Sequence, residues 1–291
     1  EIENLILTGS LDSYTVIALK KQDTMGYLVL GEKMNALKFS DSEKQFLNLI
    51  ANHATAALDN AILFVESLEK QKLEEEMNLA KKIQLQLLPK RMPKLQGFEI
   101  FGSNITSKQV GGDYFDFLKI DRDTLGIAIG DVSGKGAAAA LLMSNLQAVM
   151  QSVSLNRTLS IEAQIAQANS IIYKNTTSEK YITFFYAELN TLNKTLTYVN
   201  AGHNFPILIR DGKITELQKG GLILGMVDDI SFETETITLI SGDQIVFYTD
   251  GINEAMDSEN QEFGTDRLYA NLLKMNSLTA KPIHDEILKQ V

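Results

Sequence analysis

Residues 125–136 read Leu-Gly-Ile-Ala-Ile-Gly-Asp-Val-Ser-Gly-Lys-Gly. The first five are apolar on both alternating faces, so a strand here is covered on both sides of its sheet. The stretch then breaks into glycines and opens an alanine-rich run, Ala137-Ala-Ala-Ala-Leu-Leu-Met, that favours helix. Three loops known for binding phosphate or ions compare with this pattern. A Walker A loop needs four residues between its first Gly and Gly-Lys, then Ser or Thr; here three intervene and Gly136 follows Lys135, so that reading fails. Gly134-x-Gly136-x-x-Ala139 mimics a dinucleotide fingerprint, but residues 141–160 offer no second strand ending in an acidic residue. The third reading takes Asp131, at the exposed end of a buried strand, as a metal ligand, with the glycines letting the backbone approach ion and substrate.

Around this stretch the chain reads as short strands with turn residues, at 98–105, 114–120, 125–129, 181–189, 196–199, 207–209, 232–239 and 245–248. Asp211-Gly212 and Asn190-Thr-Leu-Asn-Lys between runs have hairpin-turn chemistry. Helical patterns at about 135–153 and 161–173, and a third from near Asp266, interrupt the strands. Hairpins dominate and helices are available as outer layers, so the expected fold is α+β, an antiparallel β-sandwich flanked by helices.

Two more aspartates share the context of Asp131, a carboxylate beside Gly at a strand end: Asp113 in Val110-Gly-Gly-Asp-Tyr-Phe-Asp116 and Asp250 in Phe247-Tyr-Thr-Asp-Gly-Ile. Any one alone reads as a turn or cap. Three together change the reading, because clustered carboxylates repel unless cations neutralise them. The chain has no Cys, which excludes thiol nucleophiles and thiolate zinc sites, and only three His, far apart in sequence, which argues against an imidazole-rich centre. An oxygen-only ligand set suits Mg²⁺ or Mn²⁺, and two such ions favour in-line displacement at phosphorus. The formal charge of −10, with no segregated basic face, argues against nucleic acid. No apolar run is long enough to span a membrane and no leader is legible, so the expected location is cytoplasmic.

Upstream, two β-rich runs between Tyr14 and Gly31, separated by Lys-Gln-Asp-Thr, predict a hairpin. Ser40 followed by Glu43 is a capping-box signature, and no Gly or Pro interrupts from there to Leu88, which predicts one long helix or two in tandem. Ile50, Ala54, Ala57, Ala61, Phe64 and Leu68 keep coiled-coil spacing; the stripe resumes out of phase at Leu73, Met77, Ala80, Gln84 and Leu87. Two readings stand, a solvated connector resting on its own domains and a parallel dimeric linker; the second makes the protein a homodimer through this helix.

Residues 83–88 (Ile-Gln-Leu-Gln-Leu-Leu), Pro89, Val110-Gly-Gly-Asp-Tyr-Phe-Asp, Gly130-Asp-Val-Ser-Gly-Lys-Gly, Ala201-Gly-His-Asn, Leu224-Gly, Gly242-Asp, Tyr248-Thr-Asp-Gly-Ile-Asn-Glu-Ala and Phe263-Gly occur in this order. Together they resemble the SpoIIE-type serine phosphatases, bacterial members of the metal-dependent PPM class, over about residues 80–275. The resemblance implies an α-β-β-α fold and a two-metal hydrolase, using Mn²⁺ or Mg²⁺, acting on phosphoserine or phosphothreonine in a protein partner, commonly an anti-sigma-factor antagonist. It implies Asp113, Asp131 and Asp250 as catalytic and metal-binding residues. On that carry-over Asp131 bridges both ions, the Val132 carbonyl and Asp113 serve one, and Asp250 the other. Gly26-Tyr-Leu-Val-Leu-Gly, Phe39-Ser and the helix with Ala54, Ala57 and Asn60-Ala61 resemble the second half of a GAF sensory domain. The expected division is 1–65 as a partial GAF-like domain, 66–90 as a helical coiled-coil linker and 91–291 as the SpoIIE-type domain.

The sequence departs from the family at Phe205, where a Pro is usual, and at its end, where the family's Asp-Asp pair before a final strand is missing. Either that end lies beyond Val291, in a chain that also opens at Glu1 without Met, or the protein is a degenerate sensory scaffold that binds a partner without hydrolysis. His203 reads as a general acid or as a structural His fixing the turn before Pro206. Lys135 meets substrate phosphate or is an ordinary exposed helix-start Lys. Asp116 supports the ligands or is solvated.

Overall fold

The computed structural model describes residues 15–20, 24–31, 33–106, 110–177 and 179–291, which form two compact units, Glu1–Glu76 and Met77–Val291. In the first unit β1 (Thr15–Lys20) and β2 (Thr24–Leu30) pair antiparallel, as the β-rich runs predict. Tyr14 and the turn at 21–23 lie outside the described residues. Helix α1 (Asp41–Leu87) begins in this unit and is unbroken. Its start is the predicted capping box: Ser40 N donates to Glu43 Oε2 at 2.7 Å and Glu43 N to Ser40 Oγ at 3.4 Å, satisfying main-chain N–H groups left open by the first turn. Because α1 crosses the boundary at Glu76, the division falls between the expected 65 and 90.

The phase slip in α1 has a packing cause. Ile50, Phe64 and Leu68 on the first stripe are exposed. On the second, Met77, Ala80 and Leu87 are half-buried and Gln84 is buried, next to Leu88 in the core of the second unit. The later stripe is therefore not a free coiled-coil seam.

The second unit has four layers. A mostly antiparallel sheet runs β10 (Glu235–Thr238), β6 (Thr195–Ala201), β5 (Ile182–Asn190), β4 (Thr124–Val132), β3 (Tyr114–Lys119), with β9 (Gly220–Gly221) parallel to β6. A second sheet has the order β11 (Gln244–Val246), β7 (Ile207–Arg210), β8 (Lys213–Glu216). The β7–β8 turn is the predicted Asp211-Gly212, with φ of 50° and 70° as a two-residue hairpin of this twist requires.

Strand alternation assigns each face. Ala128, Val132, Phe184 and Tyr186 pack against α2 (Ala137–Val153) and α3 (Ile161–Asn175) through Met143, Leu146, Ile165 and Ile172. Leu125, Ile127, Ile129, Phe185 and Ala187 point the other way, onto Leu208, Ile245 and Phe247 of the second sheet. Behind that sheet Ile207 and Ile209 meet Leu268 of α5 (Thr265–Lys274) and Ile283 of α6 (Ala280–Gln290). The expected α+β sandwich flanked by helices is the observed fold.

Two expectations fail. Residues 98–105 form no ladder among the described residues, only an isolated Leu95↔Phe98 bridge. Their apolar alternation serves packing, since Phe98 and Ile100 cover the inter-sheet core. The 232–239 strand shortens to β10, with Phe232 turned into the core beneath α2 and α3.

Candidate functional site

Local register brings the three aspartates together. Tyr114 pairs with Gly130, so Asp113, one residue earlier, comes opposite Asp131. Asp131 continues the odd-numbered row Leu125, Ile127, Ile129 that faces the second sheet. Asp250 arrives from that sheet, since β11 runs on through Phe247 and Tyr248 to the single-turn helix α4 (Asp250–Asn253). At this end of the inter-sheet core, carboxylate oxygens of Asp113, Asp131 and Asp250 lie within 4.8 Å of one another, each half-buried.

The loop carrying Asp113 is held closely. A Cβ on Gly112 would lie 2.7 Å from Val132 O and 3.1 Å from Asp131 Oδ1, so only Gly admits this approach. Gln84 Nε2 donates to Gly111 O at 2.7 Å, and Gly111 N donates to Gln84 Oε1 at 3.2 Å. Asn104 Nδ2 donates to Asp113 O at 3.1 Å. The Val132 carbonyl thus sits against the Gly112 backbone, beside the carboxylates.

The electrostatics of the cluster are ones that a bound cation would relieve. Burial pushes Asp131 up to about 7, and the neighbouring charges of Asp113, Asp250 and Glu254 add to the rise. Asp113 is also raised, by burial and the charge of Asp250, against a hydrogen bond from Thr249. A half-buried cluster that resists ionising in isolation becomes stable as carboxylates when a divalent cation neutralises it, and oxygen-only donors suit Mg²⁺ or Mn²⁺. The residues present fit such ions.

The remaining expected residues divide. Lys135 is exposed; it is Lys180 whose Nζ reaches the loop, donating to Ser133 O at 3.4 Å. Asp116 is neither solvated nor beside the ligands. It is buried on the helix-facing side, accepting from Gln151 Nε2 at 2.9 Å and Phe117 N at 2.8 Å. His203 is 2% exposed, with Nδ1 3.0 Å from Thr183 Oγ1, and burial lowers it to about 4, which favours the structural reading over a general acid. Sequence reading missed Thr249, Thr183, Glu254 and Lys180. Thr249 and Glu254 flank Asp250 in the quoted motif, whereas Thr183 and Lys180 enter only through the β4–β5 pairing.

A four-layer α-β-β-α sandwich with an acidic cluster at the mouth of its inter-sheet core defines a PP2C-type domain. The SiaA-PP2C domain of Pseudomonas aeruginosa shares this fold, with a TM-score of 0.60 over 76% of this chain and 89% of that chain at 17% identity. The profile of the family described as Stage II sporulation protein E (SpoIIE) matches residues 121–291, and the chain belongs to that family. Phosphoserine phosphatase RsbU of Bacillus subtilis (strain 168) is 34% identical over 188 residues, covering 64% of this chain and 55% of RsbU. Phosphoserine phosphatase RsbP of the same organism is 28% identical over 182 residues, 61% of this chain and 45% of RsbP. The chain spans about half the length of these curated relatives.

Proposed function

We propose that the protein is a metal-dependent phosphatase that hydrolyses phosphoserine or phosphothreonine on a protein partner in bacterial signal transduction. The observation that carries this reading is the convergence of Asp113, Asp131 and Asp250 from both sheets of a PP2C-type sandwich. Its family and two relatives named phosphoserine phosphatases support the substrate class. An anti-sigma-factor antagonist is the partner that the family resemblance favours.

Asp113, Asp131, Asp250 and the Val132 carbonyl would hold two Mn²⁺ or Mg²⁺ ions. When bound, such ions supply Lewis-acid activation of water and neutralise charge developing on phosphoryl oxygens. The chain's own part is placement. Gly112 brings the Asp113 loop against Val132 and Asp131, and the inter-sheet core walls off one side of the cluster. Lys180, lying on the loop after Asp131, offers a cation near an incoming phosphate.

The exposed stripe Ile50, Phe64 and Leu68 supports a homodimer through α1; a linker over residues 66–90 and a GAF-like sensory part before it rest on the sequence resemblance. Titrating Mn²⁺ while measuring phosphate release from a phosphoserine protein tests the reading. Metal-dependent turnover supports it; Mn²⁺ binding with no turnover leaves a partner-binding scaffold.

A further inference from the structure

We propose that the turn from Asn200 to Asn204 is a positioning brace for the carboxylate cluster: His203 holds β4 behind Asp131 through Thr183, and Asn204 holds α4, which carries Asp250, through Asn253. The inference rests on the cation site proposed above and names residues that set its geometry without touching the ions.

The turn is itself rigid. Buried Asn200 accepts from His203 N at 2.7 Å through Oδ1 and donates through Nδ2 to His203 O at 3.1 Å and Leu217 O at 3.3 Å. Gly202 has φ of +70°, and a Cβ there would lie 2.2 Å from Ile223 Cγ2, so no side chain fits the turn as folded.

From this anchor two arms reach the site. Thr183 is the cross-strand partner of Asp131, and its Oγ1 donates to Asp131 O at 3.5 Å, a long bond. His203 Nδ1 lies 3.0 Å from Thr183 Oγ1, so the ring and the hydroxyl share a hydrogen bond. The second arm is Asn204 Nδ2, which donates to Asn253 Oδ1 at 3.3 Å.

The need for the second arm follows from the size of α4. Four residues form too short a helix to hold their own conformation, and Thr249 at its N-cap makes no side-chain capping bond. Asn253 is instead held from both sides, by Asn204 and by Gly264 N donating to Asn253 O at 2.8 Å. One turn thereby fixes Asp131 of one sheet relative to Asp250 of the other.

The test is Mn²⁺ binding by calorimetry on the chain, with the metal-free melting temperature as control. Asn204→Ala should weaken Mn²⁺ binding by about fivefold, the scale of one hydrogen bond, with the metal-free melting temperature nearly unchanged, and Thr183→Val should weaken it as much while also lowering that temperature, because His203 Nδ1 loses its partner. Asn253→Ala should match Asn204→Ala, and the double variant should lose no more than either alone. Unchanged affinity in Asn204→Ala and Thr183→Val, additive losses at Asn204 and Asn253, or no Mn²⁺ binding by the unaltered chain would each overturn the brace. Phosphate release is read separately, so a chain that binds Mn²⁺ with this pattern of losses but releases no phosphate defeats the phosphatase reading and supports the brace.

Discussion

Gln84 grips Gly111 with both polar atoms of its side chain, Nε2 to the carbonyl at 2.7 Å and Oε1 from the N–H at 3.2 Å. Gly111 stands two residues before Asp113, so the last turns of α1 are fastened to the backbone that presents a candidate ligand. Gln84→Leu fills the same space but leaves both Gly111 groups without these partners, a loss of about 1–3 kcal/mol. Chemical denaturation should show that loss, and Mn²⁺ affinity should fall with it. Unchanged Mn²⁺ affinity would show that the grip does not position Asp113.

Gly112→Ala tests how closely the two loops approach. The added methyl would sit 2.7 Å from the backbone oxygen of Val132, which no rotamer change relieves. The expected cost is about 1–3 kcal/mol in stability. Phosphate release should fall by at least an order of magnitude, because the Asp113 loop must move away from Asp131.

The raised value of Asp131, about 7, has a sign that can be checked in the metal-free protein. Its folded value lies above the ordinary carboxylate value, so the folded state binds the extra proton, and stability falls as pH rises from about 4 to about 7. Asp131→Asn removes this penalty. Discounting for the partial exposure of the group, the variant should be about 1–2 kcal/mol more stable than the unaltered chain at pH 8 without metal. Mn²⁺ binding by the unaltered chain should tighten as pH rises through about 7, since the cation competes with that proton. A metal-free chain whose stability is flat between pH 4 and 7 contradicts the assignment.

Dimerisation through α1 predicts that charged substitutions on the exposed stripe, Ile50→Glu with Phe64→Glu, convert a dimer into a monomer by sedimentation at micromolar concentration. The melting of the strand-rich unit should not change. A monomeric unaltered chain at that concentration counts against the linker reading.

What the sequence made legible is what short-range chemistry dictates. The Ser40–Glu43 box and the Asp211-Gly212 turn each lie within a few residues, and both form as read. The buried texture of residues 125–129 and 181–189 carried the four-layer fold, because strands apolar on both faces need cover on both. Residues 98–105 misled, since alternation records which side faces a core and not whether the edge is paired. Helix α6 lies beyond the helical patterns read from the sequence; its Pro282 falls in the first turn, where its missing N–H costs little. Each aspartate was visible as a carboxylate beside glycine. Their meeting depends on the β3–β4 register and on the second sheet folding over the first, relations no local pattern contains. The family motif order supplied that link in advance.

The most direct measurement is phosphate release from a phosphoserine protein as Mn²⁺ is added to the unaltered chain and to Asp131→Asn in parallel. The account predicts turnover that rises with Mn²⁺ and is abolished by chelation, with Asp131→Asn slower by two orders of magnitude or more because the cluster loses one of its three carboxylate charges. Turnover that is independent of metal, or equal in Asp131→Asn, would contradict the central claim.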